Sequence, residues 1–210
     1  MRSRKALLKK AKLYVILDAQ VNAYPKLFDI AKQSIAGGVG IIQLRDKTGT
    51  AREILAAAAK LSKIANDKAL FIVNDRIDIA LLAGTDGVHL GQEDVSVMQA
   101  RAIVPRDFLI GASCQTLEHV KAAEKSADYI GFGSIFKTLT KPQRRPMDQG
   151  FLKRVLRLAT IPVFAIGGIK FEHIPGLKVL GVNRFAVCRD ICLAKDVRNA
   201  ARKFRLAVDA

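Results

Sequence analysis

The chain has 210 residues, of which half are hydrophobic, and its formal net charge is +16. This length and apolar content are sufficient for one compact domain with a buried core. No apolar run approaches the roughly 20 residues that span a bilayer, which excludes a transmembrane helix. The three cysteines, Cys114, Cys188 and Cys192, are odd in number and lack metal-ligand pairs. They argue against both a disulfide framework and a zinc site.

The first predicted element is a strand at residues 13–18, which follows a basic N-terminal extension at residues 1–12. Asp18 ends the apolar run of this strand too early for a signal peptide, which needs a longer apolar region and a small-residue cleavage site. The sequence therefore predicts a cytoplasmic protein whose residues 1–210 form a single domain.

Seven further short apolar runs follow, and they alternate with segments of helical periodicity. The runs are rich in Val, Ile and Leu and nearly continuous in hydrophobicity, as expected for parallel strands that are buried on both faces. Helices are predicted between them, for example at residues 51–65 and 117–125. The strands are predicted at residues 39–44, 69–73, 86–90, 108–112, 128–132, 161–166 and 183–187.

Eight strands that are each followed by a helix favour the α/β class and a single (β/α)8 TIM barrel. A doubly wound open sheet is the alternative, but it usually has fewer strands in a chain of this length. The longest connection, residues 133–148, contains Lys137, Lys141, Arg144 and Arg145. Long loops in compact domains tend to be functional, so this loop is interpreted as a basic lid.

Polar residues and glycines follow most of the predicted strands. The strand ends of one kind lie on one face of a parallel α/β fold, so these groups can converge on one pocket. Their mixture of cations, carboxylates and glycines suits a phosphorylated substrate with a divalent metal. The groups are Gln43, Leu44, Arg45, Asp46 and Lys47; Asn74 and Asp75; Asp94; Ser113; Thr138, Leu139, Thr140 and Lys141; and Gly167 and Gly168.

Asp75 and Asp94 are the candidate metal ligands. Each residue alone is equally well explained as the cap of the helix that follows it. Their strands are consecutive and would be neighbours in a barrel, so both carboxylates can reach one cation. Magnesium prefers hard oxygen ligands, and water and substrate phosphates complete its shell. The sequence therefore predicts a magnesium site.

The candidate phosphate ligands are Arg45, Lys47 and Lys141. Arginine offers a planar fork for two phosphate oxygens, and lysine offers a mobile point charge. Ser113 has no His or Asp beside it in the sequence, so a nucleophilic triad is not supported and a hydrogen-bonding role is favoured. His89 lies in an apolar run and is interpreted as a satisfied core residue.

Six motifs, taken in their order and spacing, resemble those of the thiamine-phosphate synthase family. The resemblance extends from about residue 12 to about residue 191. The motifs are Gln43-Leu44-Arg45-Asp46-Lys47; Val73-Asn74-Asp75-Arg76; Gly87-Val88-His89-Leu90-Gly91-Gln92-Glu93-Asp94; Asp128-Tyr129-Ile130-Gly131-Phe132-Gly133; Thr138-Leu139-Thr140-Lys141; and Ala165-Ile166-Gly167-Gly168-Ile169.

This resemblance implies a (β/α)8 transferase of thiamine biosynthesis. It would condense 4-amino-2-methyl-5-(diphosphooxymethyl)pyrimidine with thiazole phosphate, release pyrophosphate by a dissociative route and depend on Mg²⁺. By motif, Asp75 and Asp94 would bind the metal. The pyrimidine diphosphate would be held by Gln43, Leu44, Arg45, Asp46, Lys47, Asn74, Ser113 and Lys141. Of these, Arg45, Lys47, Ser113 and Lys141 would be catalytic. The thiazole phosphate would be held by Thr138, Leu139, Thr140, Gly168 and the backbone at Cys188 and Arg189.

The chain departs from the family pattern at several positions. Ser134 and Lys137 stand where prolines are frequent, and Gln115 replaces a frequent histidine. Arg184 replaces a usual glycine, and Arg189 replaces a usual serine. Arg189 either adds a cation to the phosphate site or points outward and leaves the contact to backbone amides.

Three alternatives remain open at the level of the sequence. A related thiazole tautomerase would not need the diphosphate and metal groups. A basic nucleic-acid-binding module is supported by charge alone, because aromatic residues do not interleave with the basic clusters. A catalytically silent phosphate sensor would not need the full set of strand-end groups. The favoured partners are small phosphorylated substrates, with no nucleic acid and no membrane, and a homo-oligomer is left open.

Overall fold

The computed structural model describes residues 3–140 and 145–210, in which eight parallel strands form a closed barrel. Each strand pairs with the next along the chain, and β8 pairs with β1. The predicted (β/α)8 TIM barrel is thus confirmed, and the open sheet is excluded. The strands are β1 (Leu13–Asp18), β2 (Ile41–Arg45), β3 (Leu70–Asn74), β4 (Gly87–Leu90), β5 (Leu109–Cys114), β6 (Tyr129–Phe132), β7 (Val163–Ile166) and β8 (Phe185–Val187).

Helices surround the barrel, and several begin at residues that cap them. Thr50 and Glu53 form a capping box at the start of the helix predicted at residues 51–65, and Ser96 and Gln99 form another. The helices are α1 (Arg4–Lys10), α2 (Tyr24–Ala36), α3 (Ala51–Ala65), α4 (Ile77–Leu82), α5 (Val97–Ile103), α6 (Leu117–Glu124), α7 (Gln149–Leu158), α8 (Ile174–Val179, after a 3₁₀ turn at Phe171–His173), α9 (Arg189–Cys192) and α10 (Val197–Asp209). Within the described residues, no helix has the length and apolarity needed to cross a membrane.

The strands are buried on both faces, so the protein has two apolar cores. The outward side chains of the strands, such as Leu44 and Val73, pack against the helices. The inward side chains, such as Tyr14, Tyr129 and Phe164, fill the barrel. Because both faces are apolar, the strands lack the alternation of polar and apolar residues that marks a half-exposed sheet.

Helix α1 lies within the segment that the sequence marks as a basic extension, and it covers the N-terminal end of the barrel. Its Leu8 is buried in the inner core together with Leu70. Arg4 forms ion pairs with Asp86 at 2.9 Å and with Asp107 at 2.5 Å, which precede β4 and β5. This contact closes the end of the barrel opposite to the strand ends that carry the candidate site residues.

Candidate active site

A cavity of about 580 Å³ lies at the C-terminal end of the barrel. The polar strand ends converge there because parallel strands place their carboxyl ends on one face. The predicted site residues that line this cavity are Gln43, Arg45, Asn74, Ser113, Thr138, Leu139, Thr140, Gly168, Cys188 and Arg189. Convergence on one pocket, which the sequence predicted, is therefore observed for most of the described site residues.

Arg45, the last residue of β2, is buried and held by an ion pair. Its Nη1 donates to Asp18 Oδ2 at 2.8 Å and to Gln20 Oε1 at 3.1 Å. Asp18 is only 1% exposed, so the pair is shielded from water. A guanidinium has five N–H donors, so this pairing still leaves donors for the oxygens of a phosphorylated ligand.

Lys47, Asp75 and Asp94 meet at the same end of the barrel. The ammonium of Lys47 forms an ion pair with the Asp75 carboxylate. Burial raises the pKa of Asp75, and the adjacent Asp94 carboxylate raises it further, while Lys47 acts to lower it. The backbone N–H of Gly91 donates to Asp94 Oδ2 at 2.7 Å and so fixes the second carboxylate.

The residues present fit a divalent cation. Two carboxylates within hydrogen-bonding reach repel each other unless a proton or a cation lies between them. Burial is the main cause of the raised pKa of Asp75, and this repulsion adds to it. Among residues 3–140 and 145–210, no group of three or more His, Cys, Asp or Glu side chains is placed to hold a metal. A cation at Asp75 and Asp94 would therefore complete its shell with water and ligand oxygens, as magnesium commonly does.

The turn after β7 packs closely against the start of the 133–148 loop. Gly167 and Gly168 have φ angles of +103° and +63°, which glycine adopts without strain. The N–H of Phe136 donates to the carbonyl of Gly167 at 2.9 Å. A Cβ atom at Gly168 would overlap the carbonyl oxygen of Lys137. Glycine is thus required for the loop to reach the cavity.

The β8 end contributes Cys188 and Arg189 to the cavity wall. Arg189 Nε is buried and has no hydrogen-bond partner within the described ranges. Arg184 instead lies at the opposite end of the barrel, where its Nη2 donates to the carbonyl of Lys9 at 3.2 Å. The replacement of the usual glycine by Arg184 therefore does not affect the cavity, whereas the replacement of the usual serine by Arg189 changes its wall.

Five of the predicted site residues that the structure describes do not line the cavity itself. They are Lys47, Asp75 and Asp94, which meet beside it, and Leu44 and Asp46. Leu44 is 1% exposed and packs in the outer core, because its neighbours Gln43 and Arg45 take the inward positions of β2. Asp46 accepts hydrogen bonds from the N–H groups of Thr48 and Gly49, each at 2.8 Å. Its carboxylate stabilises the turn before α3. Direct side-chain contact of Leu44 or Asp46 with a ligand in the cavity is thus not supported.

Lys141, which the sequence assigns to the site, lies outside the described residues, as does Arg144. Their neighbour Lys137 lines the cavity. Within the same loop, the N–H of Thr140 donates a hydrogen bond to Thr138 Oγ1 at 3.2 Å. The basic character predicted for this loop is therefore represented in the cavity by Lys137.

The interpretation of His89 as a buried, satisfied residue is confirmed, but its position beside the cavity was not predicted. It is 6% exposed, but it lines the cavity, and its Nε2 lies 3.0 Å from Ser113 Oγ. His89 is nearly inaccessible to solvent because it lies at the bottom of the cavity. An apolar run around a histidine does not distinguish a floor residue from a core residue.

Sequence reasoning also missed the inward-facing residues of the barrel that line the cavity floor. An inward face could have been found by counting alternate residues from Gln43 and Arg45, whose positions pair with Ile16 and Asp18 of β1. The nearly uniform hydrophobicity of the strands hid this alternation. The missed residues are Tyr14, Ile16, Gly131, Phe164, Ile166 and Ala186.

Comparisons with known proteins agree with this architecture. A family model described as thiamine monophosphate synthase matches residues 13–191. The thiamine-phosphate synthase of Methanospirillum hungatei is 40% identical over 195 residues, which cover 91% of this chain and 95% of the relative. The thiamine-phosphate synthase of Caldivirga maquilingensis is 43% identical over 202 residues, which cover 94% of this chain and 96% of the relative.

Solved structures give the same result. A thiamine phosphate pyrophosphorylase from Pyrococcus furiosus superposes with a TM-score of 0.87 at 35% identity, covering 98% of this chain and 97% of the other. A 3-hexulose-6-phosphate synthase, with a TM-score of 0.70 at 20% identity, covers 93% of this chain and 99% of the other, and it shares the fold alone. The resemblance seen in the motifs is confirmed, and this chain belongs to the thiamine monophosphate synthase family of enzymes.

Proposed function

We propose that this enzyme condenses 4-amino-2-methyl-5-(diphosphooxymethyl)pyrimidine with thiazole phosphate to give thiamine phosphate and pyrophosphate. The observation that supports this most is the convergence of two anion-binding regions on one end of the barrel. Arg45, Lys47 and the carboxylate pair form one region. The turn at Gly168, with Arg189, forms the other. Two phosphorylated substrates need two such regions.

Arg45, Lys47 and Lys141 would stabilise the negative charge that develops on the departing diphosphate. Asp75 and Asp94 would hold Mg²⁺, which supplies further neutralisation of that charge when it is bound. The bond between the pyrimidine methylene carbon and oxygen breaks, and its electron pair leaves with the diphosphate. The thiazole nitrogen then donates its lone pair to the methylene carbon. Electrostatic stabilisation where charge develops is usually the largest catalytic contribution.

No enzyme nucleophile is needed for this route. Ser113, whose Oγ lies 3.0 Å from His89 Nε2, would bind the pyrimidine substrate together with Gln43 and Asn74. The Thr138-to-Thr140 segment, Gly168 and the β8 end would hold the thiazole phosphate. Alignment of the two bound substrates would supply much of the remaining rate enhancement.

The direct test incubates both substrates with magnesium and the enzyme and measures pyrophosphate and thiamine phosphate. We expect both products in equal amounts, and neither product after chelation of the metal. A protein that isomerised the thiazole but released no pyrophosphate would be a tautomerase. Salt-sensitive retention on DNA that survives loss of Arg45, Lys47 and Asp94 would favour a nucleic-acid-binding module. Cytoplasmic location and a homo-oligomeric state remain predictions.

Magnesium affinity is expected to weaken as the pH falls. Burial, with help from Asp94, raises the pKa of Asp75, so a proton competes with the metal at a higher pH than for an ordinary aspartate. Titration calorimetry between about pH 8 and about pH 5 should show weaker binding at the acid end. In Asp75→Asn, which lacks this carboxylate, binding should be weak throughout. An affinity that is independent of pH in the unaltered enzyme would contradict the assignment.

Gly168→Ala is expected to lower kcat/KM for thiazole phosphate by up to about 10²-fold, which is the effect of a displacement of about 1 Å. The added Cβ would overlap the carbonyl of Lys137 and lie 2.9 Å from Phe136 Cβ, and the φ of +63° disfavours alanine. Steady-state kinetics with each substrate varied in turn measure the effect. Gly176→Ala is the matched control, because a Cβ there meets no atom within 4 Å. Equal kinetics for the two variants would refute the role of Gly168.

A further inference from the structure

A chain of five hydrogen-bonded side chains crosses the barrel beneath the cavity. Gln43 Nε2 lies 2.6 Å from the Tyr14 hydroxyl, which lies 3.0 Å from the Tyr129 hydroxyl. The Tyr129 hydroxyl lies 3.3 Å from His89 Nδ1, and His89 Nε2 lies 3.0 Å from Ser113 Oγ. The chain joins β2, β1, β6, β4 and β5, and both of its ends line the cavity.

The protons of this chain can be assigned from one end. The Gln43 amide nitrogen can only donate, so the Tyr14 oxygen accepts. Tyr14 then has one proton, which it donates to Tyr129, and Tyr129 donates its proton to His89 Nδ1. A neutral His89 therefore carries its proton on Nε2 and donates it to Ser113 Oγ. The hydroxyl proton of Ser113 is left to point at a ligand.

Because the two tyrosines are buried, the direction in which the hydroxyl protons point affects the free energy of the folded state. Tyr14 is 2% exposed and Tyr129 is fully buried, so a phenol proton without an acceptor would be costly. Burial raises the pKa of both phenols well above the ordinary value, so both keep their protons. With Gln43 oriented as observed, reversal of the Tyr14–Tyr129 bond would leave the Tyr14 proton with no acceptor in the chain. With this orientation of Gln43, each tyrosine hydroxyl donates once and accepts once only in the direction described.

Packing holds the rings of the chain in place. Phe164 contacts both tyrosines edge-on, with ring centroids 5.5 Å from Tyr14 and 5.6 Å from Tyr129. Gly111 leaves the space that Tyr129 and His89 occupy, since a Cβ atom there would overlap Tyr129 and approach His89 Nδ1 to 2.5 Å. Packing therefore holds these hydrogen-bonded side chains rigidly at the cavity floor, as a site that selects between similar ligands requires.

We propose that Tyr14, Tyr129 and His89 are positioning residues that fix Gln43 Oε1 as an acceptor and the Ser113 hydroxyl as a donor at the cavity floor. This proposal rests on the proposed function, and it identifies the residues that discriminate between forms of the pyrimidine substrate. A 4-aminopyrimidine presents an amino N–H donor next to a ring-nitrogen acceptor, which complements this pattern. Its 4-oxo counterpart presents a carbonyl acceptor next to a ring N–H donor, which opposes the pattern at both positions. The hydrogen-bonded side chains thus favour binding of the 4-aminopyrimidine over its 4-oxo counterpart.

A second arrangement also satisfies every group of the chain, and it provides the sharpest test. If the Gln43 amide is rotated, all protons run the other way, His89 carries its proton on Nδ1, and the oxo form is favoured. Nitrogen-15 NMR of histidine-labelled enzyme distinguishes the two states, with His119→Gln and His173→Gln variants used to assign the signals. We expect the Nε2–H form of His89. The Nδ1–H form would overturn the proposal, whether or not the enzyme condenses its substrates.

Binding of the two ligands supplies the independent measurement. Titration calorimetry with magnesium should show that the enzyme prefers the 4-amino diphosphate over the 4-oxo diphosphate by about 10²-fold or more. Tyr14→Phe and Tyr129→Phe remove one hydroxyl each without changing ring packing, and each should reduce this preference at least about tenfold. The reduction arises because the amide of Gln43 or the ring of His89 loses its fixed orientation.

Thr85→Val is the matched control for loss of a buried hydroxyl. The Thr85 hydroxyl lies 3.1 Å from the carbonyl oxygens of both Ala80 and Gly87, which share its one proton, at the far end of the barrel. The Thr85→Val variant should have a lower Tm but keep the preference for the 4-amino diphosphate. An unchanged preference in folded Tyr14→Phe and Tyr129→Phe would refute the positioning role. Failure of the unaltered enzyme to bind either diphosphate would instead refute the proposed function.

Discussion

Asp94→Asn is expected to lower the rate of pyrophosphate release by about 10²- to 10³-fold. The substitution removes one of the two carboxylate charges that would hold magnesium beside the leaving diphosphate. The N–H of Gly91 donates to Asp94 Oδ2 at 2.7 Å, and an asparagine oxygen can accept the same bond. The loop should therefore keep its shape, and single-turnover release of pyrophosphate measures the loss of charge alone.

The same variant should be more stable than the unaltered enzyme when magnesium is absent. Burial and Asp94 raise the pKa of Asp75 above its unfolded value. A carboxyl of this kind favours the folded state while it is protonated, and that contribution is lost as the pH rises through the raised pKa. Above that raised pKa the two carboxylates repel each other, and asparagine removes the repulsion. Thermal unfolding in a chelator should show a higher Tm, by about 2–4 °C for each 1 kcal/mol gained.

Asp78→Asn is the matched control for Asp94→Asn. Asp78 lies just beyond β3, at the start of α4, where it forms an ion pair with Arg76 at 2.6 Å. It is not one of the two carboxylates proposed to hold the metal. Its substitution should leave the rate close to that of the unaltered enzyme. If Asp94→Asn retained full magnesium-dependent activity while remaining folded, the metal assignment would be wrong.

Arg45→Met is expected to lower kcat/KM by about 10²- to 10³-fold and to destabilise the fold by about 3–5 kcal/mol. The first effect follows from loss of a cation at the diphosphate region. The second follows because Asp18, which is 1% exposed, would keep its charge without its partner 2.8 Å away. Denaturant unfolding and steady-state kinetics measure the two effects separately.

The double variant Asp18→Asn, Arg45→Met separates catalysis from stability. It leaves no unpaired buried charge, and an asparagine oxygen can still accept the bond that Gln20 N–H donates to Asp18 Oδ1 at 3.0 Å. We expect most of the stability to return and the activity to stay low. Arg76→Met, which removes a more exposed cation at the same end of the barrel, is the control for net charge. Recovery of activity together with stability would show that Arg45 acts only on the fold.

The strand pattern of the sequence anticipated the barrel well, with boundaries that differ by one or two residues. For example, β7 begins at Val163 rather than at residue 161, since Pro162 lacks the N–H that the ladder requires. The polar groups that follow the strands were also predicted to lie together, because parallel strands place all their carboxyl ends on one face of the barrel. The side-chain directions within the strands were not found, as Leu44 and His89 show.

The sequence by itself determined the succession of strands and helices, the family, and the set of groups at the strand ends, since these depend on local periodicity and on short motifs. Only the tertiary structure decided which groups face the cavity and which partners they have. Asp18 meets Arg45 across 27 positions, and Tyr14 meets Tyr129 across 115. The first contact needs the pairing of β1 with β2, and the second needs the barrel to close so that β1 and β6 face each other across its interior. Because most strand residues are apolar on both faces, the sequence shows little alternation from which these side-chain directions can be read.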